Sequence, residues 1–384
     1  MVEIETNIPL DKIFSEKTVN EASGQRMDSF LAKTGLSISS IEGFHRNISA
    51  VTNNVYSVKL TNIEGVKIES ILKVSQKRSE PRELALSNNV GGWNKNKLEN
   101  ESKILALVQN AGIPSPRPIF YQKFDDGTEV FAETLVAGQK CVDLRTPNVS
   151  PLEFEKLETE KGKILARLNN ILLPLKTFGT LDEEAKRFNT WSDYFLTKVT
   201  TTLSCLYGMY DKLTNLQYFS NLANNQSEWK SFVGNIVKLY SAETVLHLIN
   251  NDGVPTLSHG DFWDGNLIAN RNKDNWDVSV IDFERGGVEG KSFDLSLWLA
   301  WKVGGKQDNP DPIEASETFL KGYKEAGGTI SPDINKYVAI YGLWQYLDFL
   351  VMDIIYGIDR TDESVYEIKK LYTKIQEFLW NQKF

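Results

Sequence analysis

At 384 residues the chain is longer than one ordinary core, and a spacing of about 150 residues per domain gives two lobes. Apolar residues make up 41% and charged residues 24%, which excludes disordered, collagen-like and fibrous classes. With 43 Lys and Arg against 51 Asp and Glu, the net charge of −8 repels a long polyanion, excluding general nucleic-acid binding while tolerating a cationic small substrate.

The N-terminal MVEIETNIPLDKIF carries early acids and no basic stretch followed by an apolar one, so no signal peptide is expected. Residues 10–35 have a helical pattern that ends near Gly35. From 41 to 134 the segments shorten. VYSVKL (55–60) and VKIESILKV (66–74) predict strands, the second with Ile68, Leu72 and Val74 on one face and Glu69, Ile71 and Lys73 on the other. LENESKILALVQNAG predicts a helix with Leu98, Ile104, Leu105 and Val108 on its apolar stripe, stopped by Gly112 and Pro114. RPIFYQ and TEVFAETLV predict two more strands around a turn at Asp125 to Gly127.

From about 150 onward helical periodicity dominates, over 151–172, 190–215, 226–250, 311–326, 332–357 and 363–382. The most apolar stretch, Tyr337 to Tyr356, is broken by Gln345, Asp348 and Asp353, the pattern of a buried helix and not of a membrane span. Cys141 and Cys205 stand far apart with no C-x-x-C spacing, which fits a reducing compartment; a cytoplasmic protein with no membrane partner is expected.

One interruption in the helical half carries the chemistry: SHGDFWDGNLIANRNKDNWDVSVIDFERGG, residues 258–287. LIAN and VSVI flank the polar turn NKDN and predict an antiparallel hairpin centred near Asp274. That centre sets Asn266 and Asp282 side by side at the open end, with Asp261 on the loop leading into it. Two carboxylates and an amide oxygen at one point suit magnesium, which keeps waters and relies on few protein ligands plus substrate phosphates.

The pattern His259-Gly260-Asp261, Asn266 five residues later, then Ile281-Asp282-Phe283-Glu284, resembles the aminoglycoside phosphotransferase and choline-kinase-like family. The resemblance covers about residues 38–300 and implies an α+β, protein-kinase-like bilobal fold. In it, a small antiparallel sheet with one key helix (1–135) joins a large, mainly helical lobe (136–384). It implies ATP and Mg2+ as cofactors, Asp261 as catalytic base, and Asn266 and Asp282 as metal ligands. His259 would brace the loop. Lys73 would meet the α- and β-phosphates, paired with Glu101 in preference to its neighbour Glu99. Backbone groups near Glu133 and Leu135, in FAETLVAG, would bind adenine.

The phosphate-covering loop should fall in RNISAVTNNVY (46–56), which has no glycine; Ser49, Asn53 and Asn54 offer polar replacements. Asp294 resembles the family's loop-supporting aspartate, although a helix-capping role explains it as well. Only about a dozen residues separate Asp282 from Asp294, too few for a protein kinase's activation segment.

The implied acceptor is therefore a small hydroxyl compound: aminoglycoside, amino alcohol, sugar or ketosamine, the last from the likeness of HGDFWDGN to fructosamine-kinase-like proteins. Trp191, Tyr194, Trp263, Trp298, Trp301, Trp344 and Tyr346 could stack on it or pack the core. Asp264, Glu284, Asp348 and Asp353 could meet its amino groups, or be solvated or paired. The alternative is a catalytically weak nucleotide-binding pseudokinase or regulatory protein. The pattern says nothing of oligomeric state.

Overall fold

The computed structural model describes residues 31, 33–45, 53–75, 97–125, 127–145, 149–182, 186–213, 223–273, 275–304, 311–356 and 361–380. Most of the expected N-terminal helix, and Ser49 with the rest of 46–52, lie outside these residues. Leu31 and residues 33–34 are helical and end at Gly35, whose φ of +70° is the left-handed conformation a helix stop favours.

A five-stranded antiparallel sheet follows, in the order β1-β2-β3-β5-β4. Its strands are β1 (Leu36–His45), β2 (Asn53–Asn62), β3 (Lys67–Ser75), β4 (Pro118–Lys123) and β5 (Glu129–Thr134). Alternation puts Leu72 and Val74 in one apolar layer with Tyr56, Val58, Leu60, Val130 and Ala132. The opposite face, with Lys73 beside Phe131, looks towards helix α1 (Lys97–Asn110). Leu98, Ile104, Leu105 and Val108 of α1 are fully buried, each contributing about 1.5–3 kcal/mol of transfer free energy.

Beyond Thr134 the chain runs through a two-residue strand, β6 (Gln139–Lys140), into helices. These are α2 (Pro151–Asn169), α3 (Trp191–Gly208), α4 (Tyr210–Leu213), α5 (Gln226–Tyr240) and α6 (Glu243–Asn251). Ser150 opens α2 with a capping box: its hydroxyl accepts from Glu153 N, and Glu153 reaches back to the Ser150 amide. The expected 226–250 helix is two helices, because the chain breaks at Ser241 and Ala242.

Two small sheets then hold the site. β7 (Thr256–Ser258) pairs with β10 (Gly287–Glu289), while β8 (Leu267–Asn272) lies between β6 and β9 (Asn275–Val280). Helices α7 (Phe293–Val303), α8 (Glu317–Glu325), α9 (Ile334–Tyr356) and α10 (Thr361–Trp380) complete the order. Among the described residues no helix is long and apolar enough to cross a membrane.

The hairpin is real, but its register is one residue from the expected one. Asn272 pairs with Asn275 across a two-residue connection, with Lys273 at φ +51°, so Asn266 falls opposite Ile281 and not Asp282. A one-residue slip turns a strand's side chains to the other face. Asp282 itself adopts φ +66°, a left-handed conformation that costs a non-glycine residue on the order of 1 kcal/mol, and its Oδ1 lies 3.7 Å from the Lys73 ammonium.

Candidate active site

Four segments meet at one end of the β8–β9 hairpin. Asn266 Nδ2 donates to Asp261 Oδ2 at 3.0 Å and to the Asp261 carbonyl at 2.9 Å. Its carbonyl accepts the Ile281 amide at 3.0 Å, and Asp282 follows directly. The Asp261 loop, Asn266 and Asp282 are therefore neighbours, with the Asn266 amide oxygen left over for another partner.

His259 braces this arrangement. Its Nδ1 accepts the Asp261 amide at 3.3 Å and its Nε2 meets the Ile281 carbonyl at 2.9 Å, so Nε2 carries the proton. The ring is buried against Phe283 at 4.6 Å between centroids. Asp294 accepts the amides of His259 (2.7 Å) and Gly260 (2.9 Å). It is the second residue of α7 and not its cap; Ser292 holds that place. Its carboxylate therefore supports the loop.

Gly260 explains the tight bend. At φ +73° it favours glycine, and a Cβ there would lie 2.1 Å from the Arg285 carbonyl oxygen.

From the sheet, Lys73 reaches into the same cleft. Its Nζ lies 2.6 Å from Glu101 Oε1, 3.3 Å from Glu133 Oε1 and 3.7 Å from Asp282 Oδ1. Burial by itself would lower the lysine pKa, but Glu101, Glu133 and Asp282 together raise it, so the ammonium stays charged. Glu101 Oε1 also accepts the Phe283 amide at 3.1 Å, tying α1 to the segment that carries Asp282. Glu99 turns away and pairs with Lys103 at 2.6 Å along the helix. Asn100 makes the second tie, donating to the Gly286 carbonyl and accepting from the Leu181 amide.

The remaining expected residues take varied places. Glu133 was expected to act through its backbone; its side chain is buried and turned towards Lys73. The Leu135 amide donates to the Glu69 carbonyl at 2.9 Å, extending the β3–β5 pairing, and is committed there. Asn54 lies in β2 opposite Val74. Asn53 joins the two halves, its Nδ2 donating to Glu284 Oε2 at 3.1 Å.

Among the aromatics, Trp191, Tyr194, Trp298, Trp344 and Tyr346 are core residues. Trp263 and Trp301 are half-buried and pair at 5.5 Å beside the Asp261 loop. Of the acids, Asp264 is bound to Lys161 at 2.8 Å and Asp348 to Arg285, while the Asp353 side chain lies outside the described residues. Sequence reasoning missed the buried set Ser258, Glu289 and Lys198 behind the loop. Their only signal was polar residue types at strand and helix positions whose neighbours are apolar.

This arrangement holds a carboxylate beside an amide, faces a second carboxylate, and sets a buried ammonium opposite. A model of the phosphotransferase enzyme family (APH) matches residues 52–337. The fold is similar to that of a thermostable mutant of aminoglycoside phosphotransferase APH(4)-Ia in its apo form (TM-score 0.53, 14% identity, 91% of this chain and 98% of that one). It is also similar to the streptomycin-ATP-APH(2")-IIa ternary complex (0.50, 15%, 91% and 95%). The Plasmodium vivax ethanolamine kinase Pv091845 is a third such structure (0.50, 14%, 97% and 87%). No curated protein matches the sequence. With the family match spanning most of its length, the chain belongs to the phosphotransferase enzyme family and is a small-molecule kinase on a protein-kinase-like fold.

Proposed function

We propose that the protein transfers the γ-phosphate of ATP, with Mg2+, to a hydroxyl of a small molecule, and that Asp261 is the catalytic base. The observation that carries this is the contact of Asp261 with Asn266 beside Asp282, opposite a lysine held by Glu101. In this reading residues 1–135 form the nucleotide lobe and 136–384 the acceptor lobe.

Asp261 orients the acceptor hydroxyl and takes its proton late, because a loose phosphoryl transition state rewards positioning more than basicity. Lys73 meets the α- and β-phosphates as a point cation on a rigid strand. The donor set fits magnesium. Asp282 offers a carboxylate that is 42% exposed and Asn266 a hard amide oxygen. Asn266 and Asp282 would hold the ion, whose positive charge would offset the negative charge that develops on the phosphates.

Acceptors that carry amino groups suit the site best. Asp261 and Glu284 lie at the cleft, and the net charge is −8. The similar structures include aminoglycoside and ethanolamine kinases. The test is ADP formation over a panel of aminoglycosides, amino alcohols, sugars and ketosamines. One member should be phosphorylated by the wild type and not by Asp261→Ala. Magnesium-dependent ATP binding without transfer to any member would favour the pseudokinase alternative.

A further inference from the structure

Behind the Asp261 loop lies a buried polar chain that the reaction as proposed does not use. Ser258 ends β7, and Glu289 ends its partner strand β10. Ser258 Oγ lies 2.6 Å from Glu289 Oε2 and 2.7 Å from Asp294 Oδ1, and it accepts the Gly260 amide at 3.0 Å. Lys198 of α3 donates to Glu289 Oε1. The same ammonium sits over the rings of Phe293 (4.7 Å), Trp344 (5.0 Å) and Tyr194 (5.2 Å). Ser258, Glu289, Asp294 and Lys198 are all at least nine-tenths buried.

A proton count fixes the state of this chain. A serine hydroxyl carries one proton, and an ionised carboxylate carries none. Two short oxygen–oxygen contacts need two protons, so one of the two carboxyl groups supplies the second. Asp294 already accepts amides from His259 and Gly260, the surroundings of an ionised acceptor. Charge balance agrees: Lys198 offsets one buried anion, and a second at the same depth would be costly. The second proton therefore sits on Glu289 Oε2, and Ser258 passes its own to Asp294. Burial raises the Glu289 carboxyl above its ordinary value; the Lys198 ammonium opposes the rise and the negative Asp294 adds to it.

We infer that Glu289 is a positioning residue that works as a neutral carboxylic acid. It completes a hydrogen-bond chain from Lys198, on α3, to the His259–Gly260 amides, and so fixes the direction of Asp261. The kinetic half of this inference rests on the phosphotransferase reading above; the protonation half stands apart from it.

The test uses Glu289→Gln and Glu289→Leu in the full chain. The amide keeps both contacts, donating to Ser258 and accepting from Lys198. With the acceptor found in the panel, Glu289→Gln should hold kcat within about threefold, whereas Glu289→Leu should lose about 100-fold in kcat with KM for ATP unchanged. A glutamine variant that loses as much as the leucine variant overturns the neutral acid. Infrared difference spectroscopy at neutral pH, wild type against Glu289→Gln, needs no acceptor and does not depend on the leucine variant folding. It should reveal the C=O stretch of a protonated carboxylic acid that moves in heavy water, and a difference spectrum without that band refutes the inference. If no panel member is phosphorylated, the proposed function fails, and the infrared result still decides Glu289.

Discussion

Lys73 shows how a residue's role is set by what surrounds it. On sequence it is a strand lysine with apolar neighbours; in the fold its ammonium lies among Glu101, Glu133 and Asp282. Removing one partner of a buried ion pair is costly because the rest are left uncompensated, so Lys73→Met should lose about 3–5 kcal/mol of stability. Urea unfolding would measure it, and an ATP titration of the folded fraction should show binding lost. Asp261 is different in kind: as proposed, it serves the reaction and not the core. Asp261→Asn should therefore leave the unfolding midpoint close to wild type and lower kcat by roughly 100-fold or more, with KM for ATP little changed. A fall in ATP affinity as large as the fall in kcat would argue against its role as base.

At the scale of elements, helix α1 and the bend at Gly260 carry the most weight. Helix α1 presents Glu101, and its first turn is tied to β5 by Glu129, which is 1% exposed and accepts the Leu98 amide. Burial raises the Glu129 pKa to about 7, and nearby Glu99 adds to the rise. The folded state then holds a proton that the unfolded chain releases nearer pH 4.5, so this group makes stability fall as pH rises from there to about 7. Across that window the effect is up to about 3 kcal/mol. Glu129→Gln should flatten the decline in melting temperature between pH 5 and 7 relative to wild type; parallel curves would refute the assignment. For the bend, Gly260→Ala forces a Cβ against the Arg285 carbonyl at positive φ. It should cost on the order of 3 kcal/mol and most of the activity, read together by thermal melts and the ADP assay.

For the whole molecule, the decisive feature is that the cleft is built from both halves of the chain. Asn53 of β2 reaches Glu284, and Glu101 of α1 reaches the Phe283 amide, so sheet and helical half are joined at the site itself. Nucleotide bound there touches both and should stabilise the chain as a unit. With magnesium present, ATP at about 100 times its Kd should add about 2.7 kcal/mol to unfolding. Without magnesium, or with EDTA added, that gain should shrink and transfer should stop. An ATP-induced rise in melting temperature that ignores EDTA would count against a metal held by Asn266 and Asp282.

Much of this was legible in one dimension because local physics decides it. Alternation marked β3 with Leu72 and Val74 inward, the 3.6-residue stripe marked α1, and the spacing from Asp261 to Asn266 to Asp282 marked residues that the fold brings together. The resemblance of that motif added the fold. What the sequence could not settle depends on distance in space: the hairpin register and the turning of the Glu133 side chain onto Lys73. The chain of Lys198, Glu289, Ser258 and Asp294 joins residues up to 96 positions apart, and no local pattern encodes it. Propensity and periodicity act within a few residues, whereas burial removes water from groups far apart in the chain and leaves them to satisfy one another. That requirement is met only when the tertiary structure closes.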